Sequence, residues 1–78
     1  MTQVRLFAAL REEAGASWVE ADGATVAEIV DELAARYGER FARIADVGTF
    51  VVNGERAARE AAVGPSDEVA LLPPVSGG

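Results

Sequence analysis

The residues of this chain best suited to chemistry are its last two, Gly77 and Gly78. Nothing upstream competes with them, since the 78 residues include neither Cys nor His. A terminal diglycine presents a main-chain carboxylate on a stem without Cβ atoms, thin enough to enter the active site of another protein. Glycine is also common in frayed ends, so the preceding residues decide the reading. Pro73 and Pro74 lock two φ angles and push Leu72 and Pro73 toward extended geometry, which stiffens the base of the stem. From Leu72 to Gly78 an extended chain reaches at most about 20 Å. That span would carry the carboxylate into a neighbour's interior while the globular body stays docked outside. Ordering each glycine there costs roughly 1–2 kcal/mol, which docking has to recover.

The composition limits what else the chain can do. Seventy-eight residues form one domain, which buries only about 60% of the surface its unfolded chain exposes. Half of the residues are hydrophobic and 26% charged, a globular balance and not that of a disordered chain. Without Cys, disulfides, thiolate zinc sites and iron–sulfur clusters are excluded, and without His most transition-metal sites are disfavoured. Any cofactor is expected to be borrowed or covalent, with none bound. Thirteen acidic residues against seven basic ones give a net charge of −6, which opposes a phosphate backbone and argues against nucleic acid as a partner. The same charge favours encounter with a protein that carries a basic patch. All seven basic residues are Arg, so the domain has no lysine amine on which its own tail could form an isopeptide bond. No apolar run is long enough to cross a bilayer, and Met1 to Arg5 lacks the sections of a secretory signal. A cytoplasmic address and no membrane partner are the expectation.

Stepping from Thr2 to Ala8, the sequence alternates, with Val4, Leu6 and Ala8 on one side and Gln3, Arg5 and Phe7 on the other, the pattern of a strand packed on one face. Ala9 to Ala14 has helical composition and ends at Gly15. Ser17 to Ala21 reads as a second strand, antiparallel to the first. Asp22-Gly23 is turn chemistry, and Thr25 with Glu28 has the spacing of a capping box, so a helix should begin at Val26. Val26, Ile29, Val30, Leu33, Ala34 and Tyr37 then form an apolar stripe, and Gly38 ends the helix. Between Glu39 and Gly48, Phe41, Ile44 and Val47 recur every three residues, which suits either a short helical turn or a loop pinned to the core. Thr49 to Val52 is a strand leading into Asn53-Gly54, a strong hairpin signal. A return strand through Arg56 to Ala58, a turn at Gly64 to Asp67 and a last strand from Glu68 to Leu72 complete the series.

This order of elements predicts an α+β β-grasp fold, the architecture of ubiquitin: a mixed, mostly antiparallel sheet of four or five strands with one main helix packed on one face. The first and last strands would pair in parallel at its centre. Residues 1–72 form the domain and 73–78 a flexible tail. One helix covers one face only, so Phe7 and one of Leu71 and Leu72 point away from it. That side is either edge packing or, if the apolar residues are contiguous, a partner contact.

The chain as a whole resembles the small ubiquitin-like sulfur-carrier family, the MoaD/ThiS group that includes the molybdopterin synthase small subunit (MoaD type). The resemblance rests on Val4-Arg5-Leu6-Phe7-Ala8-Ala9-Leu10-Arg11-Glu12, on Thr25-Val26-Ala27-Glu28, on Val52-Asn53-Gly54 and on Ser66-Asp67-Glu68-Val69. Above all it rests on Leu71-Leu72-Pro73-Pro74-Val75-Ser76-Gly77-Gly78. Many members carry aromatics where this chain has Leu71 and Leu72, a departure that bears on partner packing.

The resemblance implies that a ubiquitin-activating-like adenylating enzyme (MoeB type) uses ATP to adenylate the Gly78 carboxylate, and that sulfur then replaces one oxygen to leave a C-terminal 1-thioglycine. A large synthase subunit (MoaE type) would accept this thiocarboxylate and pass its sulfur to a pterin precursor, forming the dithiolene that holds molybdenum. It implies Gly78 as the sulfur-bearing residue and Gly77 as its slim neighbour, with Leu72, Pro73, Pro74, Val75 and Ser76 at the tail contacts. Phe7 and Arg11 would be docking residues, or else an edge-packed ring and a solvated charge. The chain would thus be a consumable donor in a hetero-oligomer, not catalytic alone. Related carriers serve thiazole, amino-acid or tRNA thiolation with the same terminus, and Pro73-Pro74 favours the pterin branch. A protein-conjugating modifier, with Gly78 in an isopeptide bond, and a non-covalent adaptor with an idle tail are the readings from other classes.

Overall fold

A computed structural model describes residues 1–74 of the chain. In chain order the elements are β1 (Thr2–Leu6), α1 (Ala8–Ala14), β2 (Trp18–Ala21), α2 (Val26–Tyr37), α3 (Glu39–Asp46), β3 (Thr49–Val52), β4 (Glu55–Ala57) and β5 (Glu68–Leu72). The five strands form one sheet in the order β2-β1-β5-β3-β4. β1 and β5 pair in parallel at its centre, with Val4 beside Val69 and Leu6 beside Leu71, and the other pairings are antiparallel. This is the β-grasp arrangement. No helix among the described residues is long and apolar enough to cross a membrane.

Alternation in β1 sends Thr2, Val4 and Leu6 inward, and they are buried, while Gln3 and Arg5 are exposed. The inward set meets the α2 stripe of Val26, Ile29, Val30 and Leu33, all buried in one cluster with Leu10, Phe41, Phe50, Val69 and Leu71. The capping box forms at the start of α2: Thr25 Oγ1 accepts the Glu28 amide at 3.2 Å, and Glu28 Oε1 accepts the Ala24 amide at 3.0 Å. The Val26 and Ala27 amides, orphans of the first turn, donate to the carbonyls of Ala61 and Arg59. The segment after β4 therefore completes the helix start.

Three helices are present where the sequence predicts one main helix. The extra order lies in α1 and α3, both too short to be stable alone in water. The ambiguous stretch from Glu39 onward is helical because Gly38, at φ +106°, breaks the axis after α2 and lets a second helix turn Phe41 and Ala45 into the core. The rings of Tyr37 and Phe41 meet at a tilt of 43°, with centroids 5.5 Å apart, across that break. Val47, read as part of the same apolar series, is 65% exposed, because the helix stops at Asp46 and the period stops with it. β1 ends at Leu6, two residues before the predicted end. Phe7 is the N-cap of α1, and Ala8 takes φ 48°, so neither continues the strand alternation.

Asn53 and Gly54 have φ of 51° and 83°, the double positive φ of a type I′ hairpin. The Asn53 side chain also ties this hairpin to the turn before β5. Its Nδ2 donates to Asp67 Oδ1 at 2.9 Å, its Oδ1 accepts the Glu68 amide at 2.9 Å, and Asp67 Oδ2 accepts the Gly64 amide at 2.8 Å. The Asn53 amide, then the Gly64 N–H, hold the Asp67 carboxyl below its ordinary value of 3.8. A depressed folded-state pKa means that the stabilising contribution is complete above the unfolded value and is lost as pH falls through the folded one. Denaturant melts of wild type and Asp67→Asn across this range check it: the wild-type advantage is expected to be constant above about pH 5 and to shrink steadily below pH 3.8. A pH-independent difference would show that the carboxylate charge has no part in the clamp.

Candidate functional site

The sheet order decides where the tail begins. Because β5 is central and parallel to β1, its C-terminal end lies at the same edge of the sheet as the β1–α1 junction. Leu72, the last residue of β5, pairs with Thr49 at the start of β3. Extending the β1–β5 register by one residue places Phe7 beside Leu72. Three of the predicted site residues thus converge: Phe7, Leu72 and Pro73, each half-buried, with Pro74 exposed beyond them. Arg11 is exposed in the last turn of α1, off the same edge. Val75, Ser76, Gly77 and Gly78 lie outside the described residues.

The face of the sheet opposite the helices carries the outward set. The registers put Trp18, Arg5, Ala70, Val51 and Arg56 in one row across all five strands. The Arg5 guanidinium lies over two rings, 5.0 Å from the centre of Phe7 and 5.5 Å from that of Trp18. Cation–π contacts at such exposed positions contribute about 0.5–1 kcal/mol each, enough to hold Phe7 against the sheet. The ring is therefore half-buried under Arg5 instead of being a free apolar knob. Trp18 is 45% exposed. Four arginines pair with carboxylates on the helical side or in the loops, at Glu32, Glu13, Glu39 and Asp46. Arg5, Arg11 and Arg56 have no such partner among the described residues, and two of them lie on this open face.

Sequence reasoning picked Phe7 and Leu72 for this side but passed over Arg5 and Trp18. Their strand positions were the available signal, since each occupies an outward place in its alternation. What the strand pattern lacks is the pairing that sets them side by side. A separate cleft of about 320 Å³ sits between α2 and α3, lined by Val30, Asp31, Ala34, Arg43, Asp46 and Arg59. It lies on the helical side, away from β5's end, and the Arg59–Asp46 pair at 2.8 Å occupies its rim. Its lining has carboxylates and arginines but no Ser, Thr, Cys or Lys. Among the described residues no group of three or more acidic side chains converges to hold a metal.

A family model, that of the ThiS family, matches residues 4–78. The chain belongs to the ThiS family. Its fold is that of the ubiquitin-like sulfur carriers, and solved structures agree along the whole length. A chain of the BexX/CysO complex from Amycolatopsis orientalis is 32% identical, with 100% of each chain covered and a TM-score of 0.82. SAMP1 from Haloferax volcanii is 37% identical, with 99% of this chain and 98% of that one covered and a TM-score of 0.76. A putative molybdopterin converting factor subunit 1 from Pyrococcus furiosus is 27% identical over 95% of this chain and 97% of that one, with a TM-score of 0.75. None of the curated proteins matches the chain. In this ThiS-family domain the described residues end in Pro73-Pro74, directly after the central strand β5.

Proposed function

We propose that this protein carries sulfur as a thiocarboxylate on Gly78 and donates it in molybdopterin synthesis, as the small subunit of a molybdopterin synthase. The observation that carries the reading is the passage of the central strand β5 directly into Pro73-Pro74 and the diglycine end. A strand held on both sides cannot drift, so it is a rigid anchor for a tail that works inside another protein.

The chemistry begins with a poor electrophile, a free carboxylate. An oxygen of Gly78 attacks the α-phosphorus of ATP on an adenylating enzyme, pyrophosphate leaves, and the mixed anhydride acquires AMP as a good leaving group. Sulfur at the sulfide level then displaces AMP, exchanging a C–O bond for a C–S bond. In the large subunit (MoaE type), the thiocarboxylate sulfur attacks an electrophilic carbon of the pterin precursor, forming a C–S bond as the C–O bond there breaks and the oxygen departs as the leaving group. Water then cleaves the acyl–sulfur bond, which restores the Gly78 carboxylate and leaves sulfur on the product. This chain contributes position: the tail converts a bimolecular encounter into a tethered one. The general acid and base are assigned to the partner, inside whose site the tail reacts. Phe7, Leu72 and the neighbouring row through Arg5 are the contact for that partner. The putative converting factor subunit from Pyrococcus furiosus supports the pterin assignment, and the solved BexX/CysO complex supports association with a second protein.

A second reading is favoured by the small archaeal modifier proteins, one of them 37% identical: Gly78 would be joined to lysines of other proteins. Intact-mass analysis of protein isolated from cells separates the two. The carrier reading expects a form heavier by one sulfur-for-oxygen exchange, copurifying with a pterin-binding large subunit. Conjugates to lysine without that form would reject it in favour of the modifier.

A further inference from the structure

Gly48 stands between α3 and β3 with φ outside the left-handed region, so a side chain would meet no torsional obstacle there. Space is the obstacle. A Cβ on Gly48 would overlap the carbonyl oxygen of Leu72, and would lie 3.2 Å from the carbonyl carbon of Leu72 and 3.4 Å from the carbonyl oxygen of Ile44. All three atoms are backbone, so no side-chain tip can swing aside to make room.

Both partners in this contact are held. The Gly48 amide donates to the Ala45 carbonyl at 3.1 Å, and the next residue, Thr49, pairs with Leu72 in the sheet. The glycines at 15, 38 and 54 differ in kind, since each has a positive φ and open space where a Cβ would go. Leu72 is where the sheet ends and the tail begins. Because Pro73 and Pro74 have fixed φ, the orientation of the Leu72 peptide sets the direction in which these two residues leave the sheet.

We infer that Gly48 is a positioning residue for delivery of the Gly78 carboxylate. Its missing side chain lets the Leu72 carbonyl seat against the α3–β3 turn, and this seat sets the direction in which Pro73-Pro74 leaves the sheet. The inference rests on the sulfur-carrier reading, and it adds a residue that lies 24 positions before Leu72 in the chain.

The test follows ATP–pyrophosphate exchange by the adenylating enzyme with full-length wild type, Gly48→Ala and Gly23→Ala as substrates, each scaled to its folded fraction by circular dichroism. Gly23 is a matched control: a Cβ there meets Glu28 Cβ at 2.8 Å and the Ile29 amide nitrogen at 2.9 Å, at the start of α2. Displacement by about 1 Å at a reacting group can cost ~10²-fold in rate. Gly48→Ala is therefore expected to lower kcat about tenfold or more with KM near that of wild type, because the docking face is untouched. Gly23→Ala is expected to melt earlier and to keep both constants per folded molecule. A Gly48→Ala protein with wild-type kcat overturns the inference, as does one that fails to fold or one whose loss Gly23→Ala equals. A wild type that is not adenylated at all overturns the carrier reading itself, and this role with it.

Discussion

Gly77→Val and deletion of Gly78 are each expected to abolish sulfur transfer while leaving the fold as it is. Valine adds a branched Cβ to a stem whose function is to be slim, and it narrows the torsions available to a residue that has to follow a partner's channel. Deletion moves the carboxylate back by one residue, about 3.3–3.6 Å, several times the misplacement that already costs ~10²-fold. Neither change reaches the core, whose buried hydrophobic residues run from Val4 to Leu71. Surface changes away from the core are usually within about ±0.5 kcal/mol, a shift of roughly 2–4 °C in so small a domain. Thermal melts together with a reconstituted transfer assay check both halves. Full activity of Gly77→Val would show that the terminus is not threaded into a narrow site.

The opposite pattern is expected at Leu33, which is fully buried on the α2 stripe between the sheet and the rest of the core. Leu33→Ala should destabilise the domain by about 2–5 kcal/mol, the sum of lost burial and the cavity that remains. Against a total stability of about 5–15 kcal/mol for a typical domain, that is a large share. At roughly 4–8 °C per kcal/mol, the midpoint should fall by at least about 8 °C. At low temperature, where the variant is still folded, sulfur transfer per folded molecule should be unaffected, since Leu33 is fully buried in the core and presents nothing to a partner. An unchanged melt would refute the helix-on-sheet packing. Under the proposed function, the two expected outcomes divide the chain into a body that supplies stability and a stem that supplies chemistry.

The division matters for a domain of this size. A sheet covered on one face by helices must leave its other face bare, and here that face carries Arg5 between Phe7 and Trp18 together with Arg56. The chain as a whole is acidic, yet its unpaired arginines gather on this face and on α1. Net charge therefore describes long-range encounter, whereas the contact surface has a local character of its own.

Much was legible in the sequence because short-range physics specifies it. The capping box at Thr25, the period of α2, the positive-φ pair Asn53-Gly54 and the alternation in β1 each act within a few residues, so each could be read without knowing what lay opposite. The candidate site at the end could be read for the same reason: a diglycine behind two prolines is a property of consecutive residues. The helix α3 was not, because eight residues have too little intrinsic stability to form alone, and it is the burial of Phe41 and Ala45 against distant elements that holds them. For Phe7 the sequence left an edge-packed ring and a partner contact both open, and the Arg5 guanidinium over its ring was not legible because it depends on where the chain turns from β1 into α1.

The sequence by itself determined the strand alternation of β1, the start and stripe of α2 and the Asn53-Gly54 hairpin, because local torsions, caps and periodicity are encoded residue by residue. Only the tertiary structure decided that Leu72 leaves the sheet beside Phe7, that Arg5 is clasped by two rings, and that Gly48 has to be bare. Those depend on strand order and register, which bring residues dozens of positions apart within a few ångströms, and no pattern along one strand specifies which strand will lie beside it.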